Sequence, residues 1–186
     1  MQFYEVIENR SSVKKFKEKP IDKDSLARII NASMMSPSWR NHTSYRIILV
    51  DDKNTKEKLA STLLNDTNDM AIAVKEAPIV AVVIGNPSDS GTIEGKEYYL
   101  VDAAIAMEHL VLAATSEGYG TCWLGSMDEN KIKEALSVPN EYKVVAMTPI
   151  GEVEEYKPTN PKKDVREHIF LNSWGKAYTE NDELLH

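Results

Sequence analysis

"YYLVDAAIAMEHLVLAATSEG", residues 98–118, is the stretch whose reading decides the fold. Val101, Ala104, Ile105, Met107, Leu110, Val111, Leu112 and Ala114 follow helical spacing and leave almost no polar face. A helix that is apolar nearly all round must be covered on nearly all sides. In a chain of 186 residues, that places it at the centre of a domain or at a subunit interface. Glu108 and His109 interrupt its apolar run short of the ~20 residues a bilayer span needs. Gly118 is a natural C-terminal stop.

Working outward, "IVAVVI" (79–84) is a continuous apolar run, the pattern of a strand covered on both faces. "YRIILV" (45–50) and "KVVAMTPIG" (143–151) read as further strands from their β-branched content. Asp22 is placed to cap a helix with Leu26, Ile29, Ile30 and Met34 on its inner face, and Pro37 ends it. A short helix carrying Phe3, Val6, Ile7 and Arg10 opens the chain. Others are expected over 55–65, just before Pro78, and over 128–136. Residues 85–95 read as a loop. Helices and strands interspersed in this way indicate one α+β domain over residues 1–186, a sheet layered with helices. Its last part, about 152–186, is a polar arm stiffened by Pro158 and Pro161. Ile169, Phe170, Leu171 and Trp174 give the arm an apolar tip that should dock on the same subunit or on a partner.

The chain carries 29 Asp and Glu against 22 Lys and Arg, a formal net charge of −7. That balance argues against a general nucleic-acid or membrane-surface binder, since both need a dominant positive field. A lone cysteine, Cys122, allows no intrachain disulfide, and "MQFYEVIENR" lacks a signal pattern, so a cytoplasmic location is expected.

Against the acidic background, "NRSSVKKFKEK" (9–19) crowds together Arg10, Lys14, Lys15, Lys17 and Lys19 with Ser11 and Ser12. A phosphate monoester needs such a mixture of cationic and neutral donors. In an extended segment Arg10, Ser12 and Lys14 would project to one side. The simpler alternative is a solvated basic face following a helix C-terminus. "SPSWRNHTSY" (36–45) gathers donors and acceptors in a loop before a strand, either for a ligand or as turn residues. In "EGYGTCWLGS" (117–126), Gly125 could let a flat ring approach the backbone. A helix cap and tight turn explain the same glycines, and no dinucleotide fingerprint is present. In "NPKKDVREH", Lys162 and Lys163 follow the proline-stiffened arm and could return to an anion site, or form a solvated pair. No nucleophile elbow, phosphate loop or metal-ligand spacing stands out. His109 reads as a satisfied core histidine and Cys122 as a packing residue.

In this order the four stretches resemble the nitroreductase family of FMN-dependent oxidoreductases. "RSSVKKFKEKPI" looks like that family's phosphate-binding segment, and "SPSWRNHTSYRIILV" like its S-x-x-N loop and strand. "GYGTCWLGSMDENKIKEALSVPNEYKVVAMTPIG" looks like its glycine turn, flavin-facing segment, helix and strand. "PKKDVREHIFLNSWG" looks like its basic C-terminal close. The resemblance implies a mixed β-sheet in an intertwined homodimer with central interface helices and a swapped C-terminal arm. It places the phosphate of FMN on Arg10, Ser11, Ser12 and Lys14, with Lys163 and Lys162 adding charge. Pro37, Ser38 and Asn41 would reach the cofactor from the other subunit. Trp123, Leu124 and Gly125 would lie along the isoalloxazine, the Gly125 N–H near flavin N5. No side chain is then an obligatory acid, base or nucleophile. NAD(P)H would deliver hydride to the flavin and a nitroaromatic or quinone acceptor would take it in ping-pong order, under a lid that includes 85–95. The chain departs from the family pattern at Thr43-Ser44-Tyr45, where Gln-Pro-Trp is common, and at Lys163, where Arg is commoner. Rival readings are a relative specialised for enone reduction or reductive dehalogenation, and an FMN-binding carrier or redox sensor without turnover.

Overall fold

The computed structural model describes residues 2–64, 68–155 and 164–178. Within them α1 (Phe3–Asn9) and α2 (Lys23–Met34) precede β1 (Tyr45–Val50). Then come α3 (Lys53–Ala60), α4 (Asn68–Glu76) and β2 (Ile79–Gly85), followed by the small hairpin β3 (Thr92–Ile93) and β4 (Lys96–Glu97). The chain continues through α5 (Tyr98–Ser116), β5 (Tyr119–Thr121), α6 (Glu129–Leu136) and β6 (Lys143–Glu152). Strand order in the main sheet is β1-β2-β6-β5. Its three strand pairings are all antiparallel, and parallel pairing is confined to the isolated bridge between Ser12 and Thr121. The expected mixed sheet is therefore an antiparallel one among the described residues.

The two faces of β2 show why its sequence is an unbroken apolar run. Val80, Val82 and Ile84 point to one side and pack with Leu59, Val74 and Ile132 from α3, α4 and α6. Ala81 and Val83 point to the other side. There Ala81 joins Ile29, Leu110 and Ala114, while Val83 joins Ala103, Ala106 and Met107. With period-two alternation and both faces covered, every position from Val80 to Gly85 is buried. α5 fills one face with α2 across it, so its missing polar face follows from its place in the fold. By length and composition α5 could also cross a membrane, with a mean hydropathy of 1.2, but here it packs on the sheet. Leu100 and Val101 stay 42% and 47% exposed near its start, which leaves an apolar edge facing outward.

Local chemistry sets the element ends. The Asp22 carboxylate accepts the Ser25 N–H at 2.9 Å to start α2. Asp52 and Asp128 cap α3 and α6 in the same way, from Thr55 and Lys131. α3 begins at Lys53 because of the Asp52 cap, earlier than the apolar spacing alone predicts. The stretch 85–95 is more structured than a plain loop. Asn86 caps a short 3-10 turn at Pro87–Asp89, and the β3–β4 hairpin follows.

Candidate functional site

Residues 10–17 lie along the edge of the sheet beyond β5. The Val13 N–H donates to Thr121 O at 2.8 Å, Lys17 N–H to Glu152 O at 2.9 Å, and Glu154 N–H to Lys15 O at 3.1 Å. Buried Val13 and Phe16 anchor the segment from below. This ladder holds the chain extended, so neighbouring side chains diverge. Lys14, Ser12 and Arg10 lie close enough to Cys122, at the end of β5, to act on its thiol. Burial pushes the Cys122 thiol up, while the Lys14 charge, a Ser12 hydrogen bond and the Arg10 charge oppose that rise. Ser11 borders a different cavity of about 260 Å³, with Val13, Thr115 and the turn at 118–120. Arg10, Ser12 and Lys14 are thus brought together, and Ser11 is placed apart from them.

The five cations of this stretch are not equivalent. Lys15 pairs with Glu155 at 2.6 Å, and Lys17 and Lys19 both pair with Glu152 at the end of β6. These two lysines hold the Glu152 carboxyl at about 2, well below its ordinary 4.5. Among the described residues Arg10 and Lys14 have no carboxylate partner. Two uncompensated cations flank a hydroxyl in an acidic chain.

Beyond Cys122 the backbone alternates. Cys122 and Leu124 point inward, and Leu124 exchanges backbone hydrogen bonds with Met147 at 2.9 and 3.0 Å. Trp123 and Gly125 face outward on one surface, Trp123 with 42% of its area exposed. A Cβ on Gly125 would meet nothing closer than the Trp123 Nε1 at 3.9 Å. Among the described residues, then, nothing demands glycine here. At Gly120, by contrast, a Cβ would collide with Val13 at 2.7 Å.

The second loop is built differently. Ser38 accepts the Thr43 N–H at 2.9 Å, which closes a tight turn. Arg40, Asn41 and Thr43 all adopt left-handed backbone, with φ of 47°, 61° and 51°. Pro37 and Asn41 are exposed. Trp39 stacks on Tyr98 with ring centroids 4.5 Å apart, and the Arg40 guanidinium lies 5.6 Å above its ring. The loop hangs from Asp102, a buried carboxylate that sequence reasoning missed. Its only sequence signal is a lone acid in the apolar first half of α5.

Within one chain these groups do not meet. The loop at 37–43 sits by Asp102, near the start of α5, whereas residues 10–14 sit by Thr115, near its end. At 1.5 Å per residue the two anchor points are separated by ~20 Å along the helix. Lys162 and Lys163 lie outside the described residues. His109, read as a core histidine, has its Nδ1 3.2 Å from Ala32 O in a half-buried setting. Among the described residues no cluster of three His, Cys, Asp or Glu side chains could hold a metal.

An antiparallel sheet sandwiched by helices, with an N-terminal basic strap along its edge, defines the class of fold. The sequence model of the nitroreductase family matches residues 7–152, and the chain belongs to that family. A nitroreductase family protein of Clostridium novyi NT is 46% identical and superposes with a TM-score of 0.82 over 98% of this chain and 99% of that one. A Methanothermobacter thermautotrophicus protein, provisionally named NADH dehydrogenase/NAD(P)H nitroreductase, is 26% identical over 94% of this chain and 88% of its own. The FMN-dependent nitroreductase of Clostridium difficile R20291 shares the fold, with a TM-score of 0.79 at 24% identity. That match covers 91% of this chain and 98% of the other.

Proposed function

We propose that this nitroreductase-family chain, an NAD(P)H-dependent oxidoreductase, holds FMN with its phosphate on Arg10, Ser12 and Lys14. The carrying observation is the division among the five cations of the basic stretch. Lys15 pairs with Glu155, Lys17 and Lys19 share the Glu152 carboxylate, and among the described residues Arg10 and Lys14 have no carboxylate partner. A phosphate monoester supplies the missing negative charge, and Ser12 adds a neutral donor. Lys163 belongs to the same proposed site, with Lys162 beside it.

Gly125 supports the second half of the reading. A position with room for a Cβ that still carries glycine suits a planar ring lying flat against the backbone. Its N–H would donate toward N5, and Trp123 would border the ring on the same outward surface. When bound, FMN would supply the two-electron chemistry. The protein's own residues bind, orient and stabilise negative charge through N–H and cationic donors. One pocket would serve NAD(P)H and a small organic acceptor of nitroaromatic or quinone type in turn, giving ping-pong kinetics.

The ~20 Å between the two half-sites supports a homodimer in which Pro37, Ser38 and Asn41 complete the partner's flavin site. The exposed Leu100 and Val101, and the apolar tip at Ile169, Leu171 and Trp174, suit that contact. A single buried Cys122 suits a reducing cytoplasm.

The test is a visible absorption spectrum of the purified protein, with the released cofactor identified by mass. Near-stoichiometric FMN is expected, and NAD(P)H should bleach its band. A colourless protein that also fails to bind added FMN would end the oxidoreductase reading.

A further inference from the structure

Asp102 is a buried carboxylate with three hydrogen-bond donors. It is 2% exposed, near the start of α5, and takes hydrogen bonds from two separate loops. One carboxylate oxygen accepts the Trp39 N–H at 2.7 Å. The other accepts the Ser44 hydroxyl at 2.6 Å and the Ser90 hydroxyl at 3.1 Å. A buried carboxylate with fewer donors would carry a large desolvation cost, so these bonds form together or the site opens.

The two loops it joins are the ones the proposed function needs. Residues 38–44 carry Ser38 and Asn41, and residues 86–91 begin the expected lid. Other contacts run between them. Asn86 N–H donates to Ser44 O at 2.7 Å, and His42 Nδ1 lies 3.2 Å from Asp89 O. Trp39 covers Gly91 so closely that a Cβ there would fall 2.4 Å from its Cε2. Meanwhile Arg40 and Thr43 hold left-handed backbone that such residues avoid, which persists only where the surroundings over-determine it.

We propose that Asp102 is a positioning residue that locks the 38–44 loop and the 86–91 loop into one unit, so that the lid's placement sets the geometry of the flavin-binding loop. The flavin part of this inference rests on the function proposed above; the coupling of the loops does not.

The test is hydrogen exchange by mass spectrometry on the purified full-length protein, together with FMN dissociation constants from fluorescence quenching. Asp102→Ala should speed exchange in both loops by roughly tenfold or more and weaken FMN by about tenfold, since three bonds are lost at once. Asp102→Asn should restore both readouts to within about threefold, because its amide can accept from Trp39 and donate to the serine hydroxyls. Asp102→Leu fills the space without accepting a hydrogen bond and should stay as loose as Asp102→Ala; rescue by leucine would mark a merely space-filling Asp102 and overturn the positioning role. Ser90→Ala removes one bond from a half-exposed position and leaves the core intact. It should speed exchange in 38–44, a segment to which Ser90 makes no hydrogen bond, by about threefold.

Loosening confined to one loop, in Asp102→Ala or in Ser90→Ala, would overturn the coupling. So would an Asp102→Asn protein as loose as Asp102→Ala. Loosened loops with unchanged FMN affinity would overturn the positioning role. Failure of the proposed function itself shows separately, as a wild-type protein that binds no FMN.

Discussion

Replacing Arg10 and Lys14 together by alanine tests the phosphate site most directly. Both lie within electrostatic reach of Cys122, as Ser12 does, and neither is compensated by a carboxylate among the described residues. A hydrogen bond to a charged group contributes ~1.5–3 kcal/mol, so two independent ones would give ~3–6 kcal/mol. Both side chains are half-exposed and share one phosphate, which lowers the expectation to ~2–4 kcal/mol. That corresponds to a rise in the FMN dissociation constant of ~30- to ~1,000-fold. Riboflavin lacks the phosphate and should lose less than ~3-fold. Lys17→Ala with Lys19→Ala removes the same formal charge from the same stretch. Those lysines are already paired with Glu152, so FMN affinity should change by less than ~3-fold. The assay is titration of the apo-protein with each ligand, followed by flavin fluorescence quenching at low and high salt. Equal loss for FMN and riboflavin would refute the phosphate role. A control pair as damaging as Arg10 and Lys14 would show that only the general positive field mattered.

The remaining expectations follow from other parts of the molecule. Gly91→Ala places a Cβ 2.4 Å from the Trp39 ring, so the indole must move off Tyr98; a cost of about 1–3 kcal/mol should appear in denaturant unfolding. Leu110→Ala opens a cavity between α5 and the sheet and should destabilise by about 2–5 kcal/mol in the same measurement. Glu152 is depressed in the folded state, so its stabilising effect is present above 4.5 and is lost as pH falls toward about 2. Glu152→Gln should flatten that segment of the stability–pH curve and leave the rest unchanged. Val101→Glu puts a charge on the exposed apolar edge of α5 and should shift the protein toward monomer in sedimentation, with loss of bound flavin; a yellow dimer would count against the shared site.

What the sequence determined by itself was local. β1 was legible because four of its six residues, Tyr45, Ile47, Ile48 and Val50, are β-branched or aromatic, and β2 because a strand buried on both faces has no polar alternation to show. α2 announced its start through Asp22, whose capping partner is three residues away. The all-round apolar pattern of α5 declared that the helix would be covered, and the basic stretch raised an anion site as a candidate beside a solvated basic face.

Only the tertiary structure decided which residues of that stretch remain available. Lys17 and Lys19 look no different in sequence from Lys14, yet their carboxylate lies more than 130 positions away and reaches them through β6. Alternation already grouped Ser12 with Arg10 and Lys14, but only the ladder with Thr121 placed Ser12 beside Cys122 and Ser11 against the cavity by Thr115. Asp102 was silent for the same reason, since its donors arrive from 12 to 63 residues away. Propensity, periodicity and capping act over a few neighbouring residues and can be read along the chain. Compensation of charge depends on what the fold brings alongside, and that is fixed only once distant strands have paired.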